Sequence, residues 1–127
     1  MSKEILTTNQ APVPIGPYNQ AVRVGNLVYT SGQIPLDVQT GEIVSDTIEG
    51  QTTQVLTYLK AILENAGTSL DKVVKTTVFI KDMGSFPQMN KIYGKFFKEE
   101  SAPARSTVEV ARLPKDVLVE IEAIAEV

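Results

Sequence analysis

The chain has 127 residues, a formal net charge of -3, and neither cysteine nor histidine. Those absences remove disulfides, thiolate nucleophiles, Cys- or His-ligated metals and every catalytic arrangement built on an imidazole base. The surplus of acids also leaves no electrostatic footprint for nucleic acid, because phosphate binding draws on Lys and Arg.

A hydrophobic fraction of 43% is that of a globular protein, and the length predicts one domain over residues 1–127. Residues 1–10 lack the basic segment and apolar run of a signal peptide, and no apolar stretch approaches a membrane span. The expected location is cytoplasmic, with no membrane partner. In chain order, residues 5–7 predict a short edge strand, and residues 11–17, with three prolines and a glycine, a loop. Residues 22–24 and 27–30 are apolar runs split by Gly25-Asn26, the signature of a tight hairpin. Residues 31–41 read as loop, broken by Pro35 and Gly41. A long helix follows, with Asp46 as its cap and Glu49 three residues on as a capping-box variant. Val55, Leu56, Leu59, Ile62, Leu63 and Ala66 repeat at helical spacing, and Gly67 ends the pattern. The β-branched run 73–80 predicts a central strand. Residues 85–98 predict a second helix whose apolar stripe is Met89, Ile92, Tyr93, Phe96 and Phe97.

Two final strands are expected at 106–111 and 117–125. In the last one Val117, Val119, Ile121, Ala123 and Ala125 share one face, and Leu118, Glu120, Glu122, Ile124 and Glu126 the other. The order βββαβαββ predicts an α+β, two-layer sandwich in which both helices cover one face of a mixed β-sheet. The bare face, with Phe79 and its neighbours, predicts self-association.

Few residues carry chemistry without histidine or cysteine. Arg105 stands between a proline-fixed turn and a strand start. Its planar fork suits bidentate grip of a carboxylate, and the plain alternative is a surface pair with an acid such as Glu109. Glu120 lies mid-strand among apolar residues. Shielded from water, it would have a raised pKa and serve as a general base; alternatively Glu120, Glu122 and Glu126 are a solvated face. Tyr18 and Ser31, in loops beside strand ends, could orient a small polar ligand or simply belong to turns. Asn90 reads by default as a helix-surface amide and Phe86 as a core residue. No phosphate loop, dinucleotide fingerprint or metal-ligand spacing is present.

Four stretches together resemble the RidA/YjgF family of reactive-intermediate deaminases: IGPYNQAV (15–22), SGQIP (31–35), the helix bearing Asn90 and Tyr93, and PARSTVEVARLPKDVLVEIEAIA (103–125). They span almost the whole chain in family order. The resemblance implies a chorismate-mutase-like fold and a homotrimer with clefts between subunits. It implies cofactor-free hydrolysis of 2-aminoacrylate or 2-aminocrotonate, or their tautomers 2-iminopropanoate and 2-iminobutanoate, to 2-oxo acids and ammonia. Such intermediates arise from serine and threonine dehydratases, the latter on the way to isoleucine. By the same resemblance Arg105 binds the substrate carboxylate, and its backbone carbonyl with the Thr107 amide fixes the reacting end. Glu120 activates water, Tyr18, Ser31 and Asn90 line the cleft, and Gly32 and Phe86 shape it. Many relatives carry cysteine where this chain has Thr107. Competing readings are an endoribonuclease or translation inhibitor, and a non-catalytic, small-carboxylate-binding regulatory or chaperone-like trimer.

Overall fold

A computed structural model describes residues 2–127. It holds one six-stranded sheet in the order β1-β2-β3-β6-β4-β5, covered on one face by two helices. The strands are β1 (Glu4–Leu6), β2 (Ala21–Val24), β3 (Leu27–Thr30), β4 (Val73–Ile80), β5 (Ala104–Glu109) and β6 (Val119–Glu126). The helices are α1 (Ile48–Asn65) and α2 (Phe86–Phe96). Only β4 and β5 run parallel; every other pair is antiparallel. The connection between β4 and β5 is α2, as a parallel crossover requires. No helix among the described residues is long and apolar enough to cross a membrane.

The expected helix spacing of α1 puts Val55, Leu56, Leu59 and Leu63 fully out of water against the sheet. The facing residues are Val78 and Ile80 of β4 with Val119, Ile121 and Ala125 of β6, so period 3.6 meets period 2 across one dry layer. Gly25 takes φ +61 in the β2–β3 hairpin, the left-handed geometry a two-residue turn needs. Residues 31–41 stay loop-like, but Gln33 pairs with Ile121 and continues the line of β3 along β6.

The last strand starts at Val119 and not at 117, because a 3-10 turn over Pro114–Asp116 precedes it, and three further boundaries differ from expectation for physical reasons. The α1 cap is Thr47, extended at φ -106 and ψ 150, whose hydroxyl accepts from the Gly50 amide. Asp46 is exposed and makes no such bond, and Glu49 falls at the second helical position, where it cannot close a capping box. Strand β5 begins two residues earlier than the β-branched pattern suggests, because parallel register with β4 starts at Lys75–Ala104. Helix α2 stops at Phe96, and Phe97 turns into extended backbone while remaining buried.

The uncovered face also differs in detail. Phe79 packs against a satellite cluster of Leu36, Leu113 and Val117. The apolar side chains left open on that face include Ile5, Val24, Tyr29 and Val108.

The cap gives a direct check. Thr47→Ala should lower unfolding free energy by about 1 kcal/mol, while Asp46→Ala should stay within about 0.5 kcal/mol of wild type. Urea-denaturation midpoints of the two variants measure this.

Candidate active site

Arg105, second residue of β5, sits in register with Thr76 on β4, and Thr76 is fully buried on the helix-covered side. The guanidinium therefore points into the layer between sheet and α2. There it lies on aromatic faces: its Cζ is 4.6 Å from the ring centre of Tyr93 and 5.3 Å from that of Phe86. Nη1 donates to Oδ1 of Asn90 at 2.7 Å. Phe86, Asn90 and Tyr93 are spaced i, i+4, i+7 on α2, so one helix face supplies both the rings and the amide. Each ring offers the cation its negative quadrupole face.

Among the described residues no carboxylate pairs with Arg105. Among the described residues the ion pair formed is Arg112 with Asp116, and Glu109 instead accepts from the backbone amide of Met83 at 2.8 Å. A cavity of about 520 Å³, lined by Asn90, Tyr93, Phe97, Glu99, Pro103 and Arg105, opens beside the guanidinium, and Glu99 on its wall forms no ion pair with Arg105.

The backbone of β5 adds two polar groups. It is an edge strand, and the Val110 amide donates to the Ile80 carbonyl on β4. Strand backbone groups alternate sides, so the Arg105 carbonyl and the Thr107 amide point to the open edge. The Thr107 hydroxyl is buried without a hydrogen-bond partner among the described residues.

Glu120 occupies a different compartment. It is in register with Phe79 on β4, the residue that alternates with buried Val78 and Ile80, so it projects from the uncovered face. Burial first, and the neighbouring charge of Glu122 second, raise its carboxyl pKa above the ordinary glutamate value. The carboxylate lies directly over Gly32: a Cβ built there would run into Glu120 Oε2. Two backbone bonds between Gln33 and Ile121, 2.9 and 3.3 Å, hold this loop against β6. The Ser31 hydroxyl donates to the Asn19 carbonyl, and Tyr18, half exposed, accepts at its hydroxyl from the Ile15 amide at 3.2 Å. Tyr18 shares one small cavity with Gly32 and another with Ser31.

Within one chain, then, the expected site residues form two groups. Phe86, Asn90, Arg105 and Thr107 gather at the β5 edge on the helix side; Tyr18, Ser31, Gly32 and Glu120 gather on the other side. Strand β4 runs between Arg105 and Glu120, and a single copy does not bring them together. Sequence reading placed Tyr93 in the core stripe and gave Thr76 no part. The available signal was a hydroxyl on an otherwise apolar helix stripe, which must find a buried partner. Among the described residues no three acidic side chains cluster so as to hold a metal ion.

The family model described as endoribonuclease L-PSP matches residues 8–127. A RutC family protein of Pyrococcus horikoshii is 58% identical over 123 residues, covering 97% of each chain. The 2-iminobutanoate/2-iminopropanoate deaminase of Escherichia coli is 55% identical over 127 residues, covering 98% of each. The crystal structure of Escherichia coli TdcF with bound serine superposes with a TM-score of 0.91 at 50% identity, covering 98% of each chain.

The raised pKa of Glu120 has a stability consequence. Its folded value lies above its unfolded value, so ionising it opposes folding. The cost is absent below the ordinary glutamate range, grows as pH rises through the folded value and is full above it. Glu120→Gln should therefore be more stable than wild type at neutral pH, with the gain vanishing toward about pH 4. Denaturation midpoints across that range measure it.

Proposed function

The chain belongs to the RidA/YjgF family, and from that premise we propose that it hydrolyses small 2-imino acids to 2-oxo acids and ammonia. The carrying observation is a guanidinium stacked, anchored and free of any ion pair among the described residues, beside an open cavity. With Nη1 committed to Asn90, Nε and Nη2 remain as the side-on pair that matches a carboxylate. The serine bound in TdcF is a ligand of that class, a small amino acid carrying one carboxylate.

The chemistry needs little more. An enamine takes a proton at C3 to give the iminium, whose C2 is already electrophilic. Arg105 holds the carboxylate, and the outward Arg105 carbonyl and Thr107 amide steady the reacting end. Glu120, ionised, takes a proton from water as the water oxygen bonds to C2 and the C=N electron pair moves to nitrogen. The protonated carboxyl then returns that proton to the nitrogen. The C–N bond breaks and the hydroxyl proton passes to solvent as C2=O forms, replacing the proton taken up to make the iminium, so the balance is imine plus water to 2-oxo acid plus ammonia. A carboxyl whose pKa is raised toward neutrality suits both transfers.

The opposite faces of Arg105 and Glu120 require a second copy. Strand β4 and the body of the sheet lie between them, about 10 Å across two strand spacings. If each chain offers its Arg105 face to one neighbour and its Glu120 face to the other, the contact is head-to-tail, which closes as a ring or runs on as an open filament. The homotrimer implied by the family resemblance is such a ring, and Tyr29 and Val108 are apolar groups available for burial in it. The endoribonuclease reading, carried by the name of the family model, predicts instead that RNA cleavage tracks Arg105.

Two results test the proposal. Arg105→Ala should lower kcat/KM for 2-iminobutanoate at least about 100-fold, because a buried hydrogen-bonded charge pair is lost, with assembly retained. Arg105→Ala and Glu120→Gln chains, each inactive alone, should regain about a quarter of wild-type activity when co-assembled, since one shared cleft in four then holds both intact residues. Hybrids as inactive as their parents would reject the shared cleft, and RNA cleavage lost in Arg105→Ala with imine hydrolysis untouched would favour the ribonuclease.

A further inference from the structure

The structure assigns Tyr93, held by Thr76, the role of a positioning residue for Arg105; the assignment deepens the carboxylate-binding reading above and rests on it. Three elements close a small ring of contacts here. Arg105 on β5 is in register with Thr76 on β4. The Thr76 hydroxyl and the Tyr93 hydroxyl of α2 lie 2.7 Å apart, both residues buried. The Tyr93 ring returns to Arg105 with its centre 4.6 Å from Cζ. Phe97 packs on Tyr93 with ring centres 4.7 Å apart, so the ring is confined by a second aromatic as well as by its hydroxyl bond.

Packing alone does not call for this pair. Val78 and Ile80, the next residues of β4 on the same face, are apolar, and the other aromatics of the α2 stripe carry no hydroxyl. A phenylalanine over a valine would fill the same layer without taking two polar atoms out of water, and burying a hydroxyl is favourable only when its bond is made. What the bond adds is direction. It fixes the rotation and depth of the ring, and the ring face fixes the plane of the guanidinium. Asn90 alone holds one nitrogen and leaves the group free to pivot about it. With the plane set by Tyr93 and one corner by Asn90, the remaining fork has a single orientation before any ligand arrives. That pre-organisation lowers the ordering cost of binding a planar carboxylate.

Burial raises the Tyr93 pKa; the Thr76 bond and the Arg105 charge oppose that shift without overcoming it. The phenol stays neutral over the working range and does not compete as an anion for the guanidinium. Tyr93 therefore acts on the substrate only through Arg105.

The chain contains three arginines, Arg23, Arg105 and Arg112, so the Nε–Hε region of a nitrogen-15 spectrum of the full-length assembly should show three side-chain signals, with Arg105 identified by its loss in Arg105→Lys. In wild type the Arg105 signal should be displaced by the ring current. Tyr93→Leu should move it toward the other two, and Tyr93→Phe should keep most of the displacement. Affinity for 2-oxobutanoate, used as the probe carboxylate, should weaken about 10-fold in Tyr93→Leu and about 3-fold or less in Tyr93→Phe. Imine turnover should show the loss in KM with kcat within about two-fold. Thr76→Val removes the bond while keeping the shape, and should match Tyr93→Phe if Tyr93→Leu fails to assemble. An unmoved Arg105 signal, unchanged affinity, or losses confined to melting temperature would overturn the assignment. Wild-type protein that neither binds 2-oxobutanoate nor hydrolyses the imine would instead sink the functional reading, and the Arg105 signal would still judge Tyr93.

Discussion

A guanidinium placed against two aromatic rings and one amide, with no ion pair among the described residues, is the interaction on which the proposed site depends. An arginine adds little to stability in that setting, because its charge is partly withdrawn from water and its fork is only partly bonded. Helix α2 supplies the rings, β4 supplies the threonine behind them, and the open edge of β5 supplies two backbone groups. All three elements meet at one end of the sheet, which is what the parallel β4–α2–β5 crossover delivers.

The carboxylate half follows the same logic on the other side. Glu120 is half-buried, and that burial, with the neighbouring charge of Glu122 second, raises its pKa and weakens the folded state when it ionises. Room for it comes from Gly32, where any side chain would occupy the same space. The loop bearing Gly32 is fastened to β6 by the Gln33–Ile121 bonds. Both halves thus carry groups that stability alone would not select, and such groups mark working sites.

Much of this was legible in the residues. The β-branched run at 73–80 gave β4 to the residue, and the spacing of Val55 through Leu63 gave the core face of α1. Alternation along β6 already put Glu120 opposite the buried Val119 and Ile121. The α1 cap was missed by one position because Asp46 and Thr47 are both good caps, and only backbone geometry chooses between them. The start of β5 was missed because it is set by register with β4, a non-local pairing. That same register decides which face Arg105 takes. No local pattern reveals that Arg105 shares a face with Thr76 while Glu120 shares one with Phe79, so the separation of the two halves is visible only in three dimensions. Tyr93 was hidden because an aromatic at stripe spacing reads as core, and here it is core and a bed for the cation together.

The most direct measurement is the distance between these groups in a crystal of the assembled protein with 2-oxobutanoate bound. The account predicts the ligand carboxylate side-on to Arg105 of one copy, with Glu120 of a neighbouring copy within about 4 Å of a water facing C2. Glu120 carboxylates remote from every bound ligand, or a ligand held away from Arg105, would contradict it.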